Sequence, residues 1–189
     1  MRAASGGPRR VSCQRLPDAG QIAFEEQRDD FTNGIFLFSG GEFITIVDDS
    51  GPVSFAFNPQ LNNAGVVTFT AFLDSGESGV FTGSGGPLAT VADSSGPFSF
   101  FDFFGPSIND SGVVAFGASL DTGESGIFVG PDPVADRVIV TGDRLGGSTV
   151  TGAFICSEGL NNVGQIVFLA QLDDGRTAIV VATPTGVER

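Results

Sequence analysis

Apolar residues in this chain come in short runs that never settle into a helical period. "VVTFTAFL" (66–73), "VFTG" (80–83), "LATVAD" (88–93) and "FSFFDFFGPSI" (98–108) are rich in β-branched and aromatic residues. Each is closed off by turn chemistry: "DSGESG" (74–79), "GGP" (85–87) and "SSGP" (94–97). Runs of this length with this composition, bounded by Gly, Pro, Asn, Asp and Ser, predict strands joined by tight turns. No stretch predicts a helix, and none approaches the roughly 18 apolar residues of a membrane span.

The pattern repeats. "LNNAGVVTF" (61–69), "INDSGVVAF" (108–116) and "LNNVGQIVF" (160–168) are close copies of one turn, and "LPDAGQIAF" (16–24) is a looser one. Their turn glycines, Gly20, Gly65, Gly112 and Gly164, stand 45, 47 and 52 residues apart. Four residues after each comes a Phe (Phe24, Phe69, Phe116, Phe168), and nine residues after each an Asp (Asp29, Asp74, Asp121, Asp173). A second glycine follows at 14 (Gly34, Gly79, Gly126), where the fourth copy has Ala178. Asn, Asp and Gly tolerate the left-handed backbone of a hairpin turn. A period of this size with four short strands per unit predicts an all-β, propeller-like array of four four-stranded antiparallel blades.

One meander cannot bury both of its faces, so neighbours must seal one another, and the recurrent Phe is expected between blades. A sheet that begins with the strand before its turn gives three full sheets and a last one with three strands. Three closures stay open: a small four-bladed ring, half of a larger ring completed by a second chain, or an open arch. The arch would expose apolar faces and strand edges. The expected organisation is a flexible N-terminal tail (1–10), a single β-repeat domain (11–184) and a C-terminal tail (185–189).

Composition narrows the partners. The 189 residues, 41% of them hydrophobic, are enough for one domain with a sizeable core. Nineteen Phe against no Trp and no Tyr mean a core filled with rings that need no hydrogen-bond partner. The net charge is −13 and every basic residue is Arg. Such a surface repels phosphate backbones and anionic lipid, which argues against nucleic acid and membrane insertion. An acidic, Lys-free surface also suits a salty habitat. The two cysteines, Cys13 and Cys156, form no CxxC, and no His is present to complete a zinc set. They read as small strand residues; a bridge requires the chain ends to meet. The first residues show no apolar core of a signal peptide.

"LNNAGVVTFTAFLDSGESGVF" (61–81) and "INDSGVVAFGASLDTGESGIF" (108–128) resemble a bacterial tandem-repeat family written NxxGxxxFxAxLxxGxxGxF. "LNNVGQIVFLAQLDDGRTAIVVATP" (160–184) is similar to the last repeat of such proteins, in which a Pro-Glu-Pro sorting tail often follows. The resemblance spans residues 16–184. It implies a propeller-like β fold and an extracellular or cell-surface location, and carries no chemistry to any residue.

Asp29, Asp74, Asp121 and Asp173 are the candidate metal ligands. On one rim they would bind Ca²⁺, with further oxygens from Asp30, Ser75, Thr122 and Asp174. Their plainer role is to cap turns through backbone N–H groups. Asp48, Asp49, Asp93 and Asp143 form a second acidic set that reads as solvated turns. No His, no Lys, no Trp platform and no Tyr nucleophile leave little support for hydrolysis. Phe98–Phe104 stands apart: alternation buries one set of rings and exposes another, offering a docking strand for a second copy or another protein. The functional expectation is a non-catalytic extracellular binding or scaffold module. The alternative is a carbohydrate-binding or glycoside-hydrolysing propeller with a carboxylate-lined funnel, which makes a glycan the candidate small partner.

Overall fold

The computed structural model describes residues 10–14, 20–27 and 33–183. Among them there is no α-helix, and seventeen strands form four antiparallel sheets in chain order. The first holds β1 (Arg10–Gln14), β2 (Ile22–Gln27), β3 (Asn33–Ser39) and β4 (Glu42–Asp48). The second holds β5 (Val53–Leu61), β6 (Val67–Leu73), β7 (Ser78–Gly83) and β8 (Ala89–Asp93). In the third, β9 (Phe98–Phe101) and β10 (Ser107–Ile108) are two halves of one interrupted strand. Both pair with β11 (Val114–Leu120), which is followed by β12 (Ser125–Phe128) and β13 (Arg137–Val140). The fourth holds β14 (Arg144–Leu145), β15 (Ser148–Leu160), β16 (Ile166–Leu172) and β17 (Thr177–Ala182). The expected tails and Asp29 lie outside the described residues, except that Arg10 opens β1.

The opening hairpin is built the same way in the last three sheets. Asn62, Asn109 and Asn161 begin the turns, whose glycine N–H returns to the Asn carbonyl at 3.2, 3.0 and 3.1 Å. Gly65, Gly112 and Gly164 take φ of 80, 84 and 79° there, a left-handed backbone that a side chain would strain. Each Asn Oδ1 accepts two N–H bonds from its own turn. Its amide reaches the next sheet: Asn62 Nδ2 donates to the Asn109 carbonyl (3.0 Å) and Asn109 Nδ2 to the Asn161 carbonyl (3.3 Å). The repeated Asn thus both closes a hairpin and bolts it to its neighbour.

Three apolar clusters hold the sheets together, one per seam. In each, the Phe four residues after the turn glycine faces the preceding sheet. Phe69, Phe116 and Phe168 are 0–1% exposed. Opposite them on the next strand stand Phe81, Phe128 and Val180. Each buried ring contributes roughly 1.5–3 kcal/mol. The other face of each sheet packs forward. Ile35, Val80 and Ile127, at one shared repeat position, lie at 0–1% exposure against the sheet that follows.

The expectation that all four repeat Phe lie between sheets fails at Phe24. It is half-buried, stacked on Phe36 at 5.7 Å and set edge-on to Phe43 at 6.1 Å, on the face of the first sheet that has no predecessor. The fourth sheet holds four strands where three were expected. The extra one is β14, a two-residue hairpin partner added before β15; among the described residues no strand follows β17. Among the described residues, the strands in extensive contact across sheets belong to sheets that are consecutive in the chain.

The strand glycines explain a lapse in the repeat. At Gly34 and Gly79 an added Cβ would come within 3.0 Å of the Val47 carbonyl oxygen and 2.7 Å of the Ala92 carbonyl oxygen; at Gly126 it would overlap the Ile139 carbonyl oxygen. The register slips beside each of them, pressing the outer strand inward. Ala178 sits on β17, where among the described residues no outer strand lies to collide with its methyl group.

Candidate functional site

The first strand of each of the last three sheets breaks at the same height. β5 slips register between Phe57 and Gln60, β15 slips between Ile155 and Leu160, and β9–β10 is interrupted at residues 102–106. A left-handed residue marks each break: Asn58 (φ 54°), Gly105 (φ 84°) and Glu158 (φ 57°). Asn58 Nδ2 donates to the Phe103 carbonyl at 2.6 Å, tying the second bulge to the third. A Cβ on Gly105 would strike Asn58 Cβ at 2.7 Å, so glycine is required there on two counts.

These bulges carry the exposed aromatic surface. Within Phe98–Phe104, Phe98 and Phe101 are buried, whereas Phe100, Phe103 and Phe104 are 38, 61 and 58% exposed. Phe103 packs on Phe57 at 5.7 Å and on Phe100 at 5.3 Å; Phe104 meets Phe154 of the fourth sheet at 5.7 Å. Phe55 extends the surface and is 37% exposed. The rings therefore run across the second, third and fourth sheets. The expected alternation of buried and exposed rings holds for this segment, but a bulge sets it up, since the strand ends at Phe101.

Asp102 lies inside this surface. Its N–H donates to the Gly117 carbonyl at 2.9 Å, and its carboxylate rests over the Cα of Gly117, where any side chain would displace it. Burial pushes this carboxyl above its ordinary range. The other resolved carboxylate shifts run the opposite way. Asp132 is held low by the Ala135 and Val134 N–H groups, and Asp173 by the Thr149 N–H. Asp174 is held well below the usual carboxylate range, first by the Arg176 guanidinium and then by the Ser148 hydroxyl.

Of the sequence-predicted metal ligands, Asp74, Asp121 and Asp173 each occupy the second turn of their own sheet. There their N–H groups donate to the carbonyls of Pro52, Pro97 and Thr149. The Asp173 carboxylate also accepts the Thr149 N–H at 3.0 Å. Among the described residues, no group of three or more His, Cys, Asp or Glu side chains could hold a metal ion. Asp48 and Asp93 each accept from the hydroxyl and N–H of a Ser two residues on, and Asp49 accepts the Asn33 N–H. Asp143 pairs with Arg137 and accepts the Val140 N–H. Cys156 is exposed and free. A depression of about 220 Å³ beside Thr90, Asp93, Phe98 and Pro131 lies at the outer edge of the second seam, away from the bulges.

The bulges themselves escaped sequence reading. A signal was present: Asn58 and Gly105 both stand seven residues before their turn glycine. The fourth copy, one residue out of step at Glu158, blurs that signal.

Fold and site together define an all-β protein of stacked, repeated antiparallel sheets, with an aromatic surface on the interrupted first strands. The chain belongs to the family of unknown function DUF7453, whose model matches residues 48–178, from the last residue of β4 into β17. No curated protein matches the chain. Among the described residues, no helix is long and apolar enough to cross a membrane.

Proposed function

We propose that the four sheets are blades of a propeller-like array and that the protein is a non-catalytic binding or scaffold module working outside the cell. One observation carries the binding reading: Phe103 and Phe104 are presented to solvent from a bulge that Asn58 and Gly105 lock in place, with Phe55 and Phe100 exposed on the strands beside it. Rigid exposed rings are unfavourable in water and serve to stack on apolar faces, those of sugar rings included. The Asp48, Asp93 and Asp173 carboxylates accept backbone N–H groups of their own turns and hairpins, which supports a structural role for them. The extracellular location rests on the repeat resemblance.

A second reading has Asp102 in its favour. A half-buried carboxyl with a raised pKa is suited to donate a proton to a glycosidic oxygen. Incubating the protein with a panel of neutral polysaccharides separates the two. The binding reading expects retarded migration in affinity gels containing one of them, loss of retardation in Phe103→Ser, and no release of reducing ends. Reducing ends that appear with the native chain and vanish with Asp102→Asn would establish hydrolysis. No retardation by any polysaccharide would remove the glycan as ligand.

A further inference from the structure

The two ends of the array expose the very faces that pair at its internal seams. Ile179 holds the repeat position of Ile35, Val80 and Ile127; those three are 0–1% exposed and Ile179 is 78% exposed. Val181 holds the position of buried Leu37 and is 63% exposed. Val167 and Leu169 stand across from them on β16 and complete an apolar face on the fourth sheet. At the opposite end, the first sheet turns outward Phe24, Phe38 and Phe43, the last 68% exposed, on the face that in every later sheet receives its predecessor. The asparagine ladder stops at the same place. Asn62 and Asn109 donate onward to the next turn, whereas the Asn161 amide folds back onto Gln165 Oε1 at 2.9 Å.

We infer that the outward face of the fourth sheet docks on the outward face of the first sheet of a second copy of this chain. The pairing is head to tail, and two copies close a ring of eight sheets. The internal seams supply the pattern. A forward face rich in β-branched residues meets the repeat Phe three times within the chain, backed by a second Phe at the first two seams and by Val180 at the third, and the two leftover faces are one of each kind. A heterologous contact of this sort closes when the rotation per subunit divides the circle, and eight sheets is within the range of closed β-propellers. The copies share a net charge of −13 each, so apolar burial must work against repulsion. Salt therefore strengthens the association, the reverse of a charge-driven contact.

Light scattering after size exclusion tests this. The native chain should weigh about twice its 19.4 kDa, with a larger dimer fraction at high salt. Ile179→Glu and Phe43→Asp should each weaken the dimer about a hundredfold, as truncated hot spots do. Both positions are exposed in the single chain, so the circular dichroism melting curves of the two variants, taken at dilutions where the native chain is itself monomeric, should stay native. Mixing the two variants is decisive. Each keeps one sound face, so a one-to-one mixture should recover a dimer that neither forms alone. A monomeric native chain would overturn the inference. So would a variant that still dimerises by itself, which means like faces pair. A mixture that stays monomeric would overturn it as well.

Discussion

The third and fourth sheets are written on the same repeat pattern, yet they differ in what lies beyond them. In the third, Gly126 and Ile127 sit under β13 and against the fourth sheet, and both are sealed. In the fourth, Ala178 and Ile179 hold the same two positions with no outer strand or following sheet among the described residues, and Ile179 is 78% exposed. The repeat supplies a face; only the next sheet turns that face into core. Burial in such an array is thus a property of neighbours, and the free energy of a repeat resides largely in its seams.

The comparison can be broken first at the Phe pairs. Phe116→Ala should cost roughly 3–5 kcal/mol in urea unfolding, because a fully buried ring leaves a cavity between sheets. Phe24→Ala, on the half-buried outer face, should cost less than half as much. Equal losses would mean that the outer face of the first sheet is covered as well as a seam.

A smaller effect is expected at the strand glycines. Gly126→Ala drives a methyl group into the Ile139 carbonyl oxygen and should cost about 1–3 kcal/mol. The reverse change, Ala178→Gly, meets no outer strand and should cost only about 0.5–1 kcal/mol, from the added freedom of the unfolded chain. Thermal melts of the two variants, compared at one dilute protein concentration, check this directly.

The smallest effect is a pH signature that separates the bulge from the turns. Asp102 has a folded pKa raised by burial. The stability linked to its proton is full below the unfolded value of 3.8 and is lost as pH rises through the folded value. Asp102→Asn should therefore gain on the native chain as pH rises above that unfolded value. Asp132, Asp173 and Asp174 have lowered values, so their contribution is present above 3.8 and is lost as pH falls. Asp173→Asn should accordingly approach the native chain in stability as the solution is made acidic. A parallel course for the two variants would show that Asp102 is not buried.

Most of the fold was legible because it was repeated. Four copies of one turn, with Phe and Asp at fixed offsets, announced strands, hairpins and stacked sheets before any coordinates. The asparagines of the turn were legible as hairpin residues but not as bolts between sheets, since a side-chain amide reaching 47 residues onward leaves no local trace. Ala178 was legible as a departure; what accompanies it, a β17 with no outer strand among the described residues, is a tertiary fact. The bulges at Asn58, Gly105 and Glu158 were hidden inside what reads as continuous strand. So was the lone carboxyl of Asp102, which in sequence is one of many acidic residues. Local chemistry shows in a single sequence, whereas the company a residue keeps across a seam does not.

The most direct test is a pair of unfolding curves, for Ile127→Ala and Ile179→Ala, taken at a concentration where single chains prevail. If neighbouring sheets create the core, the first variant should lose about 2–5 kcal/mol and the second no more than about 0.5 kcal/mol. Comparable losses at both positions would contradict the account, because they would mean the terminal sheet is buried within a single chain.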